Sequence, residues 1–277
     1  MTATNPLTQA TSATSRPATL AVIQCNSGAN TQVNQAQLSA LIAKAAAQGA
    51  KLLLLPEMCL NMDGRQYAAM AEDVSLLDWC SAQAREHGVW LVMGAMPQPS
   101  PDGDPRVRSA CLVFNDQGEQ VARYDKIHLF DVDVGDRQGQ YRESERFAPG
   151  HDWVVVETPY GKVGLSICFD LRFPEQFQAL VNAGAEILVV PAAFTYRTGA
   201  AHWEVLLRAR AIETQCIVMA ANQCGWHDET RQTWGHSMIV DAWGDCLGTL
   251  AEVPDVLVAE VDLAEIAARR RAMPLKR

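Results

Sequence analysis

Cys168 stands in GKVGLSICFDLRFPE, residues 161–175, where a strand-like run gives way to a turn. Val163, Leu165 and Ile167 are apolar and β-prone, and Pro174 is tolerated in the first turn of a helix. The stretch therefore reads as strand, elbow, helix, with Cys168 on the elbow. In an open sheet, side chains at the carboxyl ends of strands face the crevice where ligands bind, and a helix start supplies backbone donors that favour negative charge. Both effects predict a thiolate, the reactive form of a cysteine nucleophile. The competing reading is a buried cysteine acting as a small hydrophobe.

A cysteine nucleophile needs a base. Of the six histidines, His128 and His202 are the plausible ones, yet neither sits in a protease-like signature, and a histidine beside apolar residues also fits a hydrogen-bonded structural group. Glu57, which closes KLLLLPE at residues 51–57, is the alternative: a carboxylate at a strand's end can accept a thiol proton and later return it. Lys126, in YDKIHLF, could stabilise an oxyanion if desolvated beside a carboxylate. Taken singly, each also reads as an ordinary solvated side chain. Arg172 lies four residues past Cys168, close enough for its guanidinium to grip a substrate carboxylate with two parallel hydrogen bonds; an ion pair with Asp170 or Glu175 is the competing reading. No His-x-x-x-His pair or Cys/His cluster has metal-ligand spacing, so neither a metal nor another cofactor is expected.

These residues need a framework. Residues 18–25 form a short apolar strand, 32–48 an Ala-rich helix stopped by Gly49, and 51–57 a strand covered on both faces. A helix over 76–87, a strand over 89–95 and two antiparallel strands over 107–115 and 119–126 follow. Residues 131–150, which contain Glu143, are polar and too irregular for an element, and read as a long functional loop. Beyond the elbow come helix 174–183, strand 186–191, helix 201–214 and strand 216–221, with further strands at 237–241 and 256–262. The mixture is α/β, suited to two sheets with helices outside, and with no internal repeat or linker it reads as one domain over 18–277. Residues 1–17 are Thr/Ser/Ala-rich without the apolar core of a secretory signal and read as a disordered leader.

Composition narrows the partners. A chain of 277 residues with 48% hydrophobic residues can bury a sizeable core, and a net charge of −9 argues against a nucleic-acid partner. No apolar run reaches the ~20 residues needed to span a bilayer, so no membrane association is expected. Eight cysteines without paired spacing fit a reducing compartment, the cytoplasm.

Together the fragments LLLLPE, YDKIHLFD, YRESERFAPG, GLSICFDLRFPE and GAAHWEVLLRARAIE occur in an order that strongly resembles the nitrilase superfamily of carbon-nitrogen hydrolases, over nearly the whole chain from residue 18. The resemblance implies a four-layer αββα sandwich that pairs into homodimers or larger homo-oligomers. It implies a Glu-Lys-Cys triad of Glu57, Lys126 and Cys168, supported by Glu143. An oxyanion hole would use Lys126 and the Phe169 N–H, and Phe194 and Thr198 would line the substrate site beside Arg172. The run HWEVLLRARAIETQC, with AANQCG, WGHSM and DAWG, looks like the branch of deaminated glutathione amidases, close to the ω-amidases. Ala200 and Phe169 depart from it, standing where that branch commonly has proline and tyrosine. A small carboxylated amide is the substrate implied. Two other classes compete: a catalytically silent interaction protein on the same fold, and a cysteine–histidine peptidase or thiol transferase, which would need His128 or His202 rather than Glu57.

Overall fold

The computed structural model describes residues 15–275. The expected leader falls mostly outside the described residues. Its last three residues belong to the fold: Ser15 and the Arg16 N–H donate to Asp262, Arg16 pairs with Glu186 at 2.6 Å, and Pro17 opens the first strand.

In chain order the elements are β1 (Pro17–Gln24), α1 (Thr31–Ala47), β2 (Leu52–Leu54), α2 (Tyr67–Ala71), α3 (Val74–His87), β3 (Trp90–Val92), β4 (Met96–Gln98), β5 (Arg108–Phe114) and β6 (Gln120–Asp125), then the hairpin β7 (Asp131–Asp133) and β8 (Gln140–Arg142). The second half continues with β9 (Val155–Thr158), β10 (Gly161–Leu165), α4 (Pro174–Asn182), β11 (Ile187–Ala192), α5 (Tyr196–Thr214) and β12 (Ile217–Asn222). A second hairpin, β13 (Cys224–Trp226) and β14 (Gln232–Trp234), precedes β15 (Met238–Val240), β16 (Cys246–Thr249), β17 (Asp255–Asp262) and α6 (Ala264–Ala272).

One sheet has the order β17-β1-β2-β3-β5-β4 with β6 on β5, and the other β16-β15-β12-β11-β10-β9. β1, β2 and β3 are parallel, as are β10, β11 and β12; such pairs need crossovers, which α1, α3, α4 and α5 supply. The last strand crosses back to the first sheet and pairs antiparallel with β1 from Pro17↔Asp262 to Gln24↔Asp255.

Alternation along the strands makes the layers. Leu20, Val22, Leu52, Leu54, Val92, Cys111 and Val113 pack into one core with Leu165, Val189 and Val218 of the second sheet. The residues between them, Ala21, Ile23, Leu53, Leu91, Leu112 and Phe114, pack against Leu38 and Ile42 of α1 and Leu76, Cys80 and Ala84 of α3. On the far side, Phe177 and Leu180 of α4 and Trp203, Leu207 and Ala211 of α5 cover the second sheet. The result is the expected αββα sandwich.

Two expectations need correction. Residues 131–150 are not structureless: β7 and β8 pair from Asp131↔Arg142 to Asp133↔Gln140, and Glu143–Glu145 forms a 3-10 turn. The second is α5, which starts at Tyr196 instead of residue 201. Gly199 there looked like a loop residue, but it lies inside the helix, where a Cβ would overlap the Trp234 side chain. Its absence of a side chain serves packing.

Candidate active site

Glu57, Lys126 and Cys168 each follow the carboxyl end of a strand, β2, β6 and β10 respectively, and the two sheets bring these ends together. Glu57 is fixed from several directions. Its backbone bridges to Ala95, its carbonyl accepts from Gln223 Nε2 at 3.1 Å, and Met58 beside it has a φ of 51°. Gly94 packs directly beneath, with a φ of 68°, and a methyl group there would overlap the carbonyl oxygens of Leu55 and Pro56. Gly94→Ala should therefore destabilise the chain by about 3 kcal/mol, from left-handed strain plus overpacking, as read by its denaturant midpoint. By moving Glu57 it should also cut activity roughly 10²-fold.

The Glu57 carboxylate is buried, with Oε1 accepting from Lys126 Nζ at 2.8 Å and Oε2 from the Ala193 N–H at 2.9 Å. Lys126, 2% exposed, also donates to both oxygens of Glu143 at 2.9 Å. Glu143, from the turn after β8, is anchored in turn by the Phe130 N–H at 2.6 Å. Burial pulls the Lys126 ammonium toward neutrality, but Glu143 and Glu57 outweigh it and hold the group well above its ordinary pKa. Glu143 is pushed up by burial, opposed by Lys126 and reinforced by Glu57.

Cys168 begins a 3-10 turn, Cys168–Arg172, with a φ of 47°, a left-handed conformation that costs a non-glycine residue about 1–2 kcal/mol. Asp170, fully buried, holds the elbow: it accepts from the Ile167 N–H at 2.8 Å, Tyr124 Oη at 2.7 Å and the His128 N–H at 3.1 Å. The thiol lines the same cavity as Glu57 and Ala193. The expected thiolate is not the resting state. Burial and then the Glu57 charge push the thiol well above its ordinary pKa, and Lys126 only partly offsets them. With two carboxylates against one ammonium, a thiolate would add a second net negative charge to a buried site, so the proton stays on sulfur until a base removes it.

All eight sequence-predicted residues line one cavity of about 440 Å³: Glu57, Lys126, Glu143, Cys168, Phe169, Arg172, Phe194 and Thr198. Phe169 is the second residue of the turn, so its N–H has no acceptor within that turn, and its ring packs edge-on against Phe130 and Phe173. Arg172 pairs with neither Asp170 nor Glu175. Its guanidinium lies 5.2 Å from the Phe194 ring centroid and 3.3 Å from His202 Nδ1, and burial lowers its pKa. Thr198 shares a 2.8 Å hydrogen bond with Thr195.

The two histidines are placed elsewhere. His128 is stacked on Phe173 at 3.6 Å between centroids with Nδ1 on Asp170, and His202 meets Arg172; neither lines the cavity. Among the described residues no group of three or more His, Cys, Asp or Glu could hold a metal ion. Sequence reasoning missed Gly94, the Asp170 anchor, and Tyr67, Tyr141 and Arg231, which also line the cavity. A glycine between two buried strands was the one available signal. Chemically, the arrangement offers a buried thiol, an adjacent carboxylate base and a fixed cation, which is the equipment for covalent acyl transfer.

The carbon-nitrogen hydrolase family profile matches residues 19–271. A deaminated glutathione amidase of Yersinia enterocolitica is 45% identical over 262 residues, covering 93% of this chain and 91% of that protein. The crystal structure of the Caenorhabditis elegans NitFhit protein superposes with a TM-score of 0.86 at 35% identity, over 93% of this chain and 64% of that one. An amidase of Nesterenkonia sp. AN1 is 28% identical with a TM-score of 0.78, over 93% and 95% of the two chains. A glutamate-to-glutamine variant of that amidase carries the acetamide moiety of fluoroacetamide on its active-site cysteine. This chain belongs to the carbon-nitrogen hydrolase family.

Proposed function

We propose that the protein is an amidase that hydrolyses deaminated glutathione through a thioester on Cys168. The observation that carries the chemistry is the cavity in which Glu57, Lys126 and Glu143 are hydrogen-bonded together beside the Cys168 thiol. Glu57 removes the thiol proton as sulfur attacks the amide carbonyl, and Lys126 with the Phe169 N–H stabilises the developing oxyanion. Glu57 then passes the proton to the leaving amine. The same carboxylate activates water, which cleaves the thioester and frees the acid and the thiol. Glu143 keeps Lys126 fixed and charged.

The substrate assignment rests on the 45% identity to the Yersinia relative and on Arg172, an arginine lining the cavity without a carboxylate partner. A cytoplasmic homodimer completes this reading. All eight cysteines are free, no described helix is long and apolar enough to cross a membrane, and the pairing follows from the family likeness.

The test is a panel of deaminated glutathione, α-ketoglutaramate, an N-carbamoyl amino acid and an aliphatic amide without a carboxylate, run on wild type and Arg172→Met. Deaminated glutathione should be preferred, and Arg172→Met should lower kcat/KM by roughly 30-fold or more on both 2-oxo acid amides, the loss expected for a partly buried bidentate contact. Preference for α-ketoglutaramate would favour an ω-amidase. Equal rates on the uncharged amide, indifferent to Arg172→Met, would refute a carboxylated substrate.

A further inference from the structure

The cavity beside the triad is lined by five arginines, Arg65, Arg142, Arg146, Arg172 and Arg231, in a chain whose net charge is −9. Two of them are already engaged. Arg65 clamps Asp63 through Nε and Nη2, both at 2.9 Å, and Arg142 pairs with Asp133 at 2.7 Å while also donating to two carbonyls. Among the described residues, Arg146, Arg172 and Arg231 form no ion pair; Arg146 is exposed. That leaves two half-buried cations whose charge has no partner in contact.

Their surroundings differ. Arg172 comes from the nucleophile elbow and sits against Phe169, Phe194 and His202. Arg231 comes from the loop between β13 and β14 and lines the cavity together with Tyr67, Tyr141, His227 and Asp228. Asp228 Oδ1 accepts from the Thr230 and Arg231 N–H groups, both at 2.7 Å, and from the Thr230 hydroxyl, and the carboxylate makes no ion pair with the guanidinium. Arg231 Nε is buried and has no hydrogen-bond partner. That nitrogen is covered, but the Arg231 residue lines the cavity with no carboxylate among the described residues paired to its charge, which suits it to an anion carried by a ligand.

We propose that Arg231 is a second anion site, which binds a carboxylate on the leaving-amine side of the scissile amide while Arg172 holds the carboxylate of the acyl side. This rests on the amidase reading above and extends it: the preferred substrates are amides with a carboxylate at each end. It accounts for the cavity's two separate cations, where a primary amide of a 2-oxo acid would need one. A carboxylate accepting from the two terminal nitrogens would meet the fork geometry to which a guanidinium is suited.

The experiment compares two substrates with the same acyl group, a 2-oxo dicarboxylic acid monoamide whose leaving group is ammonia and one whose leaving amine carries a carboxylate. They are assayed on wild type, Arg231→Gln, Arg231→Lys and Arg172→Met. Arg231→Gln should shift the ratio of kcat/KM between the substrates by roughly 30-fold against the carboxylated leaving amine, chiefly through KM, and Arg231→Lys should restore part of it. Arg172→Met should lower both substrates together and leave the ratio within about threefold, because its contact is common to both. An unchanged ratio in Arg231→Gln, or equal losses on both substrates, would overturn the assignment. If wild type hydrolyses neither substrate, the amidase reading itself fails, which is a separate outcome.

Discussion

Lys126→Met is expected to abolish turnover and to destabilise the chain by about 3–5 kcal/mol at neutral pH, the range for removing one partner of a buried ion pair. Among the described residues the Lys126 ammonium is the single cation paired with Glu57, which is buried, and Glu143, whose side chain is 13% exposed, and the methionine fills its volume without its charge. Glu143 would respond first. Burial already raises its pKa even with Lys126 present to oppose the shift, and removing the cation raises it further. A carboxyl whose folded-state pKa lies above its unfolded one contributes stability that is present at low pH and is lost as pH rises through the raised value. The variant should therefore regain stability between about pH 8 and about pH 5, a recovery larger than any in wild type over the same interval. Denaturant midpoints across that range check this directly. A variant as stable as wild type at about pH 8 would mean that Lys126 neutralises nothing of consequence.

The second large effect belongs to the nucleophile. Cys168→Ala should reduce kcat by roughly 10⁴-fold or more, because the thiol is the only group in the proposed scheme that forms a bond to substrate. Stability should move little or even improve, since alanine also carries a Cβ at the strained φ of 47° but removes a thiol held among buried carboxylates. A loss of activity explained by unfolding would show in circular dichroism; an active Cys168→Ala would remove the covalent mechanism. Cys168→Ser keeps a hydroxyl near Glu57, but an oxygen nucleophile is far harder to deprotonate there, so it should be nearly as inactive.

Long regular elements were legible because their burial is periodic. Leu38, Ile42 and Ala45 recur on one face of α1, and the leucines of β2 are buried on both sides, as a parallel strand between helices must be. Cys168, Glu57 and Lys126 stood out as candidates because each ends or follows a strand-like run, but singly they also read as ordinary side chains, and it was the family resemblance that grouped them with Glu143. What stayed hidden depended on distant parts of the chain. The strands Asp131–Asp133 and Gln140–Arg142 are three residues each, with Val132 and Tyr141 as their only non-polar or aromatic members, too short a pattern to mark a strand, and they pair only with each other. Gly199 fell outside the expected helix 201–214, because only Trp234, from a distant hairpin, occupies the space its side chain would take.

The protonation state of Cys168 was misread for a similar reason. An elbow ahead of a helix does supply donors, but burial of the thiol, and then the negative charge of Glu57 brought from more than a hundred residues away, outweigh them. Arg231 is a further case. Nothing in HDETR, residues 227–231, distinguishes it from a solvated loop cation; only the pairing of β13 with β14 carries it to the cavity that holds the nucleophile.

The most direct test of the account is intact-mass analysis with peptide mapping of Glu57→Gln in a Cys246→Ser background, after incubation with the amide substrate and an acid quench. Cys246 is the one exposed cysteine and is removed so that surface reactivity cannot mimic the result. The corresponding type of variant in the Nesterenkonia amidase retains a covalent adduct on its active-site cysteine, which supports the use of this background. The expected result is a mass gain of one acyl group, mapped to the peptide that contains Cys168 and removed by hydroxylamine as a thioester would be. An acyl group on any other residue, or none while the variant still turns substrate over, would contradict the central claim.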